Sequence, residues 1–301
     1  IAAAPRAELV GVVSRAPERA AAFAAEHGGR AFERWEDAVA AEDVDAVAIC
    51  TPNDTHPALG VAALQAGKHV LIEYPLARTE AEGRPLVEAA RAAGRVLHAG
   101  HTMRYHGKQS VLREVAARLG PLRIADISVL FGRKPRKWYP DPKRLGSVFV
   151  GAMIHFHDEL QQLFGPVAWV EGHLEESHTP EGLVDWDVAA MWIGFAGGGL
   201  GRITYGRGLQ PPGWEFTERY AFAGGYARVE GERIVLEQDG MVERLSIPAV
   251  DTVAADTEAF LREVLDGAAP ALPADVALRS VAVGEAAARA AADGRRVYLS
   301  D

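Results

Sequence analysis

The sequence predicts a two-part α/β protein. An open, parallel, helix-covered sheet is expected over residues 1–121, and an α+β unit with a large, mostly antiparallel open sheet over 122–301. Three observations carry this. Residues 46–77, AVAICTPNDTHPALGVAALQAGKHVLIEYPLA, run strand, turn, helix, turn, strand. The chain opens in mid-pattern, with Ile1–Ala4 resembling the end of a helix and Glu8–Val13 reading as a strand. After Gly120-Pro121 the period changes to the alternation of half-buried strands split by glycines.

Each element has a local reason. Pro17–His27 is an alanine-rich helix opened by Ser14 or Arg15. Ala46–Cys50 is a short apolar run of the kind covered on both faces. Cys50, the sole cysteine, is expected there as an inert core residue. Thr51-Pro52-Asn53-Asp54 breaks the strand with turn chemistry. From His56 to Ala66 the spacing is helical, with Leu59, Ala63 and Ala66 on one face, and Gly67 ends the helix. His69–Ile72 is the next strand, with Glu73-Tyr74-Pro75 at its C-terminal end. Ligands of open parallel sheets bind outside the carboxyl ends of the strands. Thr51–His56 and Glu73–Pro75 both fall there. Gly94–His101 adds another parallel strand, whose end carries His98, His101 and Arg104.

Thr51-Pro52-Asn53-Asp54-Thr55-His56, Ala66-Gly67-Lys68-His69-Val70 and Glu73-Tyr74-Pro75, in this order, resemble the Gfo/Idh/MocA oxidoreductase family. Its members move hydride between a nicotinamide cofactor and usually a sugar or cyclitol. The resemblance implies a Rossmann-type dinucleotide-binding domain. It places Thr51, Pro52, Asn53, His56, Glu73, Tyr74 and His101 around the cofactor, although His101 reads equally as a structural histidine. One departure stands out: the family's lysine between Glu and Pro is Tyr74 here. Glu-Tyr-Pro resembles the biliverdin reductase branch.

In such a domain Glu8–Val13 is the second strand. The first strand and its glycine-rich turn are absent from the sequence, and no G-x-G-x-x-G stands at a strand-to-helix junction. Two explanations compete: a longer protein of which this is a part, or a protein without a phosphate loop. The first is favoured, because the missing strand is central in the 3-2-1-4-5-6 order. Ser14-Arg15 ends the second strand where an acidic residue would hold a ribose 2′-hydroxyl. Arginine pairs with phosphate and stacks on adenine, so NADP is expected over NAD, with NAD left open.

Beyond Gly120-Pro121, strands are read at Leu122–Phe131, Val167–Glu175, Val184–Phe195, Leu200–Gly206, Glu215–Ala223, Ala227–Glu237 and Val242–Ile247, with closing helices at Val253–Asp266 and Ala274–Ala292. Helices on one sheet face leave the other as a surface for association. A homodimer or homotetramer is therefore expected. Gly146–Gly165 is a central helix. The family pattern D-x-x-x-H-x-x-D places its histidine at His155 and its trailing aspartate at Asp158, while the leading aspartate falls on Gly151. Tyr74 and His155 are the expected proton-handling pair, because a phenol donates at neutral pH and imidazole titrates near it. Arg104 and Asp158 are expected to meet substrate. Arg133, Lys134, Arg136 and Lys137 are either a solvated loop or a clamp on a substrate anion, with Trp138 stacking on a ring face. His155, His157 and Asp158 crowd one helix, which is weak support for a metal, and none is expected.

Net charge of −9 argues against nucleic-acid binding. No apolar run reaches the ~18–20 residues that span a bilayer. The single cysteine, which excludes an internal disulfide, leads to the expectation of a cytoplasmic setting. Three functions remain open: an NADP-dependent oxidoreductase acting on a sugar-like or acidic small molecule, a biliverdin-type reductase, and a non-catalytic sensor.

Overall fold

The structure is a computed structural model that describes residues 1–132, 139–209 and 213–299. In the first part, β1 (Gly11–Val13) pairs in parallel with β2 (Arg30–Phe32). A separate parallel sheet has the order β3 (Ala46–Ile49), β4 (His69–Glu73), β5 (Leu97–Gly100). Helices α1 (Pro17–His27), α2 (Trp35–Ala40), α3 (His56–Gln65) and α4 (Glu80–Ala93) make the crossovers. Helix α4 is N-capped by Thr79, which accepts a hydrogen bond from the Glu82 backbone N–H. It ends at Gly94 in the left-handed conformation, φ 60°.

Helix α5 (Lys108–Leu119) leads into β6 (Leu122–Phe131). Helices α6 (Pro142–Leu145), α7 (Val148–Gly151) and α8 (Ile154–Phe164) follow. The expected single helix 146–165 is thus broken at Ala152-Met153, where Ala152 leaves helical geometry (φ −129°). The remaining strands are β7 (Val167–His178), β8 (Val184–Phe195), β9 (Leu200–Arg207), β10 (Trp214–Phe222), β11 (Gly225–Glu230), β12 (Arg233–Gln238), β13 (Met241–Ser246) and β14 (Val297–Tyr298), with α9 (Thr252–Asp266) and α10 (Ala274–Asp293) before the last. The expected strand 227–237 is two, turned at Gly231 with φ 59°.

Among the described residues the large sheet has nine strands in the order β13-β12-β11-β10-β6-β9-β8-β7-β14. Only β6 and β9 run parallel. Its inner face presents Ile127, Val129, Ala189, Met191, Ile193 and Ile203 to α5, α8 and α10, all essentially sealed from water. Each large aliphatic side chain buried this way contributes ~1.5–3 kcal/mol. A second cluster fills β3–β5, α3 and α4. Helix α10 joins the two, with Leu278 and Val281 in one and Val283, Ala286 and Ala287 in the other. Gly284 permits this, since a Cβ there would lie 2.7 Å from Val150 and 2.9 Å from the Phe149 carbonyl oxygen. Of the described residues, no helix is long and apolar enough to cross a membrane.

Candidate active site

The carboxyl ends of the parallel strands carry polar side chains that hold one another in place. Beyond β3, the Thr55 hydroxyl donates to the Pro52 carbonyl oxygen (2.8 Å) and lies 2.6 Å from the Thr51 hydroxyl, from which it accepts. Asn53 is buried and donates through Nδ2 to the Leu145 carbonyl oxygen (3.0 Å). His56 is sealed, with Nδ1 2.8 Å from the Pro75 carbonyl oxygen and Nε2 2.8 Å from that of Thr51. Both ring nitrogens of His56 and Nδ2 of Asn53 thus face carbonyl oxygens of the protein itself. His56 pins the turn after β3 to the turn after β4, while Thr51 and Pro52 keep surface exposure. Beyond β1, Ser14 Oγ accepts from the Ala16 N–H (3.3 Å). Arg15 is exposed, with no carboxylate in ion-pair range among the described residues.

Tyr74, His101 and His155 converge from the ends of β4 and β5 and the first turn of α8. The Tyr74 and His155 ring centroids are 3.6 Å apart, those of Tyr74 and His101 6.4 Å, and those of His101 and His155 6.2 Å. The Tyr74-Pro75 peptide is cis. His155 retains some exposure as a residue, but its Nδ1 is shut from solvent and unpartnered. Burial, with His101 adding to it, lowers the His155 pKa to about 3. His155 is therefore neutral at physiological pH and is not a store of positive charge. Glu73 is raised by burial and by Asp256 nearby.

Asp158 departs from expectation. Arg104 holds it with Nε–Oδ2 at 2.6 Å and Nη2–Oδ1 at 2.8 Å. The Ser280 hydroxyl donates to Oδ1 (2.7 Å), and His101 Nδ1 lies 3.1 Å from Oδ2. Against burial, His101 and Arg104 hold the Asp158 carboxyl well below its usual range. Asp158 and Arg104 are thus engaged with each other. These contacts tie the turn after β5 to α8 and α10. His157 is also structural: Nε2 lies 3.2 Å from the Phe149 carbonyl oxygen, and burial lowers its pKa to about 4.

Other expectations resolve on steric grounds. A Cβ on Gly151 would lie 2.5 Å from Leu145 Cδ1 and 2.8 Å from the Leu145 carbonyl oxygen. The leading aspartate of the family pattern has no room there. Cys50 is exposed rather than buried, because it lies beyond the last paired residue of β3. Arg133, Lys134, Arg136, Lys137 and Trp138 lie outside the described residues. No group of three or more His, Cys, Asp or Glu among the described residues is placed to hold a metal ion.

Several contacts around the site escape sequence reasoning. His98 is clamped between Asp256 (3.2 Å) and Glu263 (3.0 Å) of α9. Ser280 is a lone hydroxyl in the apolar stripe of α10. Tyr205 lies within electrostatic reach of Tyr74 and is hydrogen-bonded to Tyr139. Beside them Arg207 pairs with Asp187 at 2.7 Å, directly across the β8–β9 ladder. Asp187 shares the buried face of its strand with Ala189, Met191 and Ile193, where a carboxylate requires a partner.

The sequence matches the family described as "Oxidoreductase family, NAD-binding Rossmann fold" over residues 1–101, and its C-terminal alpha/beta domain over 116–299. The chain belongs to the Gfo/Idh/MocA oxidoreductase family. The fold is that family's Rossmann domain joined to an α/β domain with a large mixed sheet. A relative, 1,5-anhydro-D-fructose reductase of Ensifer adhaerens, is 36% identical over 160 residues, 51% of this chain and 48% of that protein. The chain thus spans about half the length of that relative. A second, dTDP-3,4-didehydro-2,6-dideoxy-alpha-D-glucose 3-reductase of Saccharopolyspora spinosa, is 28% identical over 86% of this chain and 80% of that one. Among solved structures, biliverdin reductase of Synechocystis sp. PCC 6803, in complex with biliverdin and NADP+, superimposes with TM-score 0.88 at 27% identity. The alignment covers 97% of this chain and 96% of that one.

The residues present fit a nicotinamide dinucleotide in part. Ser14 and Arg15, Thr51 and Pro52, Glu73 and Tyr74 all sit at carboxyl ends of parallel strands, where such a ligand lies. A glycine-rich phosphate turn is not among the 301 residues.

Proposed function

We propose that the protein is an NADP-dependent reductase of a carbonyl group on a small, sugar-like or acidic molecule, with Tyr74 as the proton donor. The carrying observation is Tyr74 at the end of β4, against a histidine held neutral. Bound cofactor would supply the hydride. Ser14 and Arg15 would hold the adenine-ribose end, and Thr51, Pro52 and Glu73 would border the rest. Tyr74 would present its hydroxyl to the substrate oxygen, and a phenol, protonated at neutral pH, suits that direction. His101, fixed by Asp158, would close the site from the β5 side. Arg133, Lys134, Arg136, Lys137 and Trp138 are proposed as the arm that meets an acidic substrate. Like copies would assemble through the outer sheet face, where Trp186, Val188 and Trp192 are half-buried in the single chain.

NADPH oxidation by a panel of sugar ketones, including 1,5-anhydro-D-fructose, tests the reading. Absence of turnover together with tight NADPH binding would point to a sensor. A biliverdin-type reduction is the second reading, supported by Glu73-Tyr74-Pro75 and by the 27%-identical solved structure. A colour change on mixing the protein with biliverdin and NADPH would select it.

A further inference from the structure

Residues 139–151 cross from the large sheet to the carboxyl ends of the parallel strands, and both sides of the crossing are bonded. On the sheet side, Arg207 Nη1 donates to the Tyr139 carbonyl oxygen (3.1 Å), and the Val184 N–H donates to that of Pro140 (2.9 Å). Arg207 is itself buried on Asp187. On the strand side, two turns reach the crossing. Asn53, in the turn after β3, donates to the Leu145 carbonyl oxygen (3.0 Å). Arg78, in the turn after β4, donates through Nη1 to the Lys143 carbonyl oxygen.

Arg78 is built in as a bracket. Its Nε lies 3.1 Å from Glu82 Oε2 and its Nη2 bonds Oε1, which directs Nη1 at Lys143. Its stem is used as closely as its head. At Gly146 the chain passes so near that a Cβ would lie 3.0 Å from Arg78 Cβ, and a φ of 80° favours glycine there. Helix α6 has only four residues, too few to hold helical form unaided. Asp141 caps it by accepting from the Lys143 N–H (3.0 Å), and Leu145 is buried. Asn53 and Arg78 join it to the turns that border the cofactor crevice.

The crossing ends at the candidate site. Leu145 fills the space beside Gly151, helix α7 lies against α10 at Gly284, and His155 opens α8 with its ring packed against Tyr74. A close-packed contact cannot absorb a shift, so a displaced Leu145 displaces Gly151. We propose that residues 139–147 are a strap that registers the large sheet against the turns after β3 and β4, with Arg78 as its positioning residue. Arg78 acts through the strap. Its guanidinium sets where Leu145 lies, and Leu145 sets the start of α8 and the seat of His155 beside Tyr74. The catalytic consequence rests on the proposed carbonyl reduction at Tyr74. Lysine cannot replace Arg78, because a point ammonium does not reproduce the planar fork that bonds both Glu82 oxygens and the Lys143 carbonyl together.

Hydrogen–deuterium exchange of wild type, Arg78→Met and Arg78→Lys, read by mass spectrometry, tests the strap. The amides of Arg144, Leu145 and Gly146, bonded to the Asp141 and Pro142 carbonyl oxygens, report on α6. Both variants are expected to exchange there ~10-fold faster or more, with β4 and β6 unchanged, since the bond lost is charge-assisted. Asn53→Asp, which sets a carboxylate against the Leu145 carbonyl oxygen, should loosen the same amides. In turnover of an active member of the ketone panel, both Arg78 variants should lower kcat ~10-fold or more while KM and NADPH affinity hold. Unchanged exchange at 144–146 in both Arg78 variants overturns the strap. Faster exchange with wild-type kcat overturns the positioning role. A loss of NADPH affinity that matches the loss of kcat overturns it too, by placing Arg78 on the cofactor. If wild type turns over no ketone, the proposed reaction fails, while the exchange result still decides the strap.

Discussion

Single residues set the chemistry by what surrounds them. Gly151 is small because Leu145 fills the space beside it, so Gly151→Asp forces a charged side chain into a packed contact. Overpacking of this kind costs ~1–3 kcal/mol, more with the buried charge. A lowered melting temperature checks it. Tyr74→Lys combined with Gly151→Asp is therefore expected to fail as a route to polyol oxidation. Arg15→Ala should weaken NADPH binding ~10–100-fold and leave NADH little changed, because a charge-assisted bond is worth roughly 1.5–3 kcal/mol. Equal loss for both cofactors in a fluorescence titration would remove Arg15 from the ribose phosphate. The motifs Thr51–His56 and Glu73–Pro75 were legible because turn chemistry marks strand ends. What Asn53, His56 and Asp158 do was not, since their partners Leu145, Pro75 and Ser280 lie 92, 19 and 122 positions away.

At the scale of elements, buried ion pairs fasten helices to sheets. Strand β5 is tied to α9 by His98 between Asp256 and Glu263. Against burial, these bonds raise the His98 pKa to about 9. Its stabilisation is complete below pH ~6.5 and is lost as pH rises through about 9. The raised Glu159 acts in the same sense, its contribution falling away as pH climbs from about 4.5 through about 8. The lowered Asp158 works oppositely, stabilising above its ordinary 3.8 and failing only in strong acid. Denaturant titrations should accordingly find greater stability at pH 6 than at pH 9. His98→Gln should flatten that alkaline decline while costing ~3–5 kcal/mol at pH 6, the usual cost of breaking a buried pair. Equal stability at pH 6 and 9 in the wild type would contradict this. The bounds of β6 and β8 were legible, because Gly120-Pro121 marks the start of β6 and alternation runs along β8. The break between α7 and α8 falls just after Gly151, but a single glycine inside a helical pattern is tolerated at ~1 kcal/mol and so did not announce it.

For the molecule as a whole, the change of period after Gly120-Pro121 made two layers readable, and the glycine-split strands made a large sheet readable. The β6–β9 parallel pairing was beyond reach, because the sequence says nothing about which distant strands meet. The outer sheet face carries Trp186 and Trp192, with Arg202 over the Trp192 ring at 5.9 Å and paired to Asp126 at 2.7 Å. If copies associate there, Trp186→Glu with Trp192→Glu should yield monomers by light scattering without loss of fold. An unchanged mass would place any interface elsewhere. The central claim is that Tyr74 delivers the proton in an NADPH-driven reduction. Single-turnover decay of NADPH absorbance, with wild type and Tyr74→Phe on an active ketone, tests it most directly. The account predicts a rate ~100-fold lower in Tyr74→Phe with NADPH affinity unchanged; an equal rate in both proteins would contradict it.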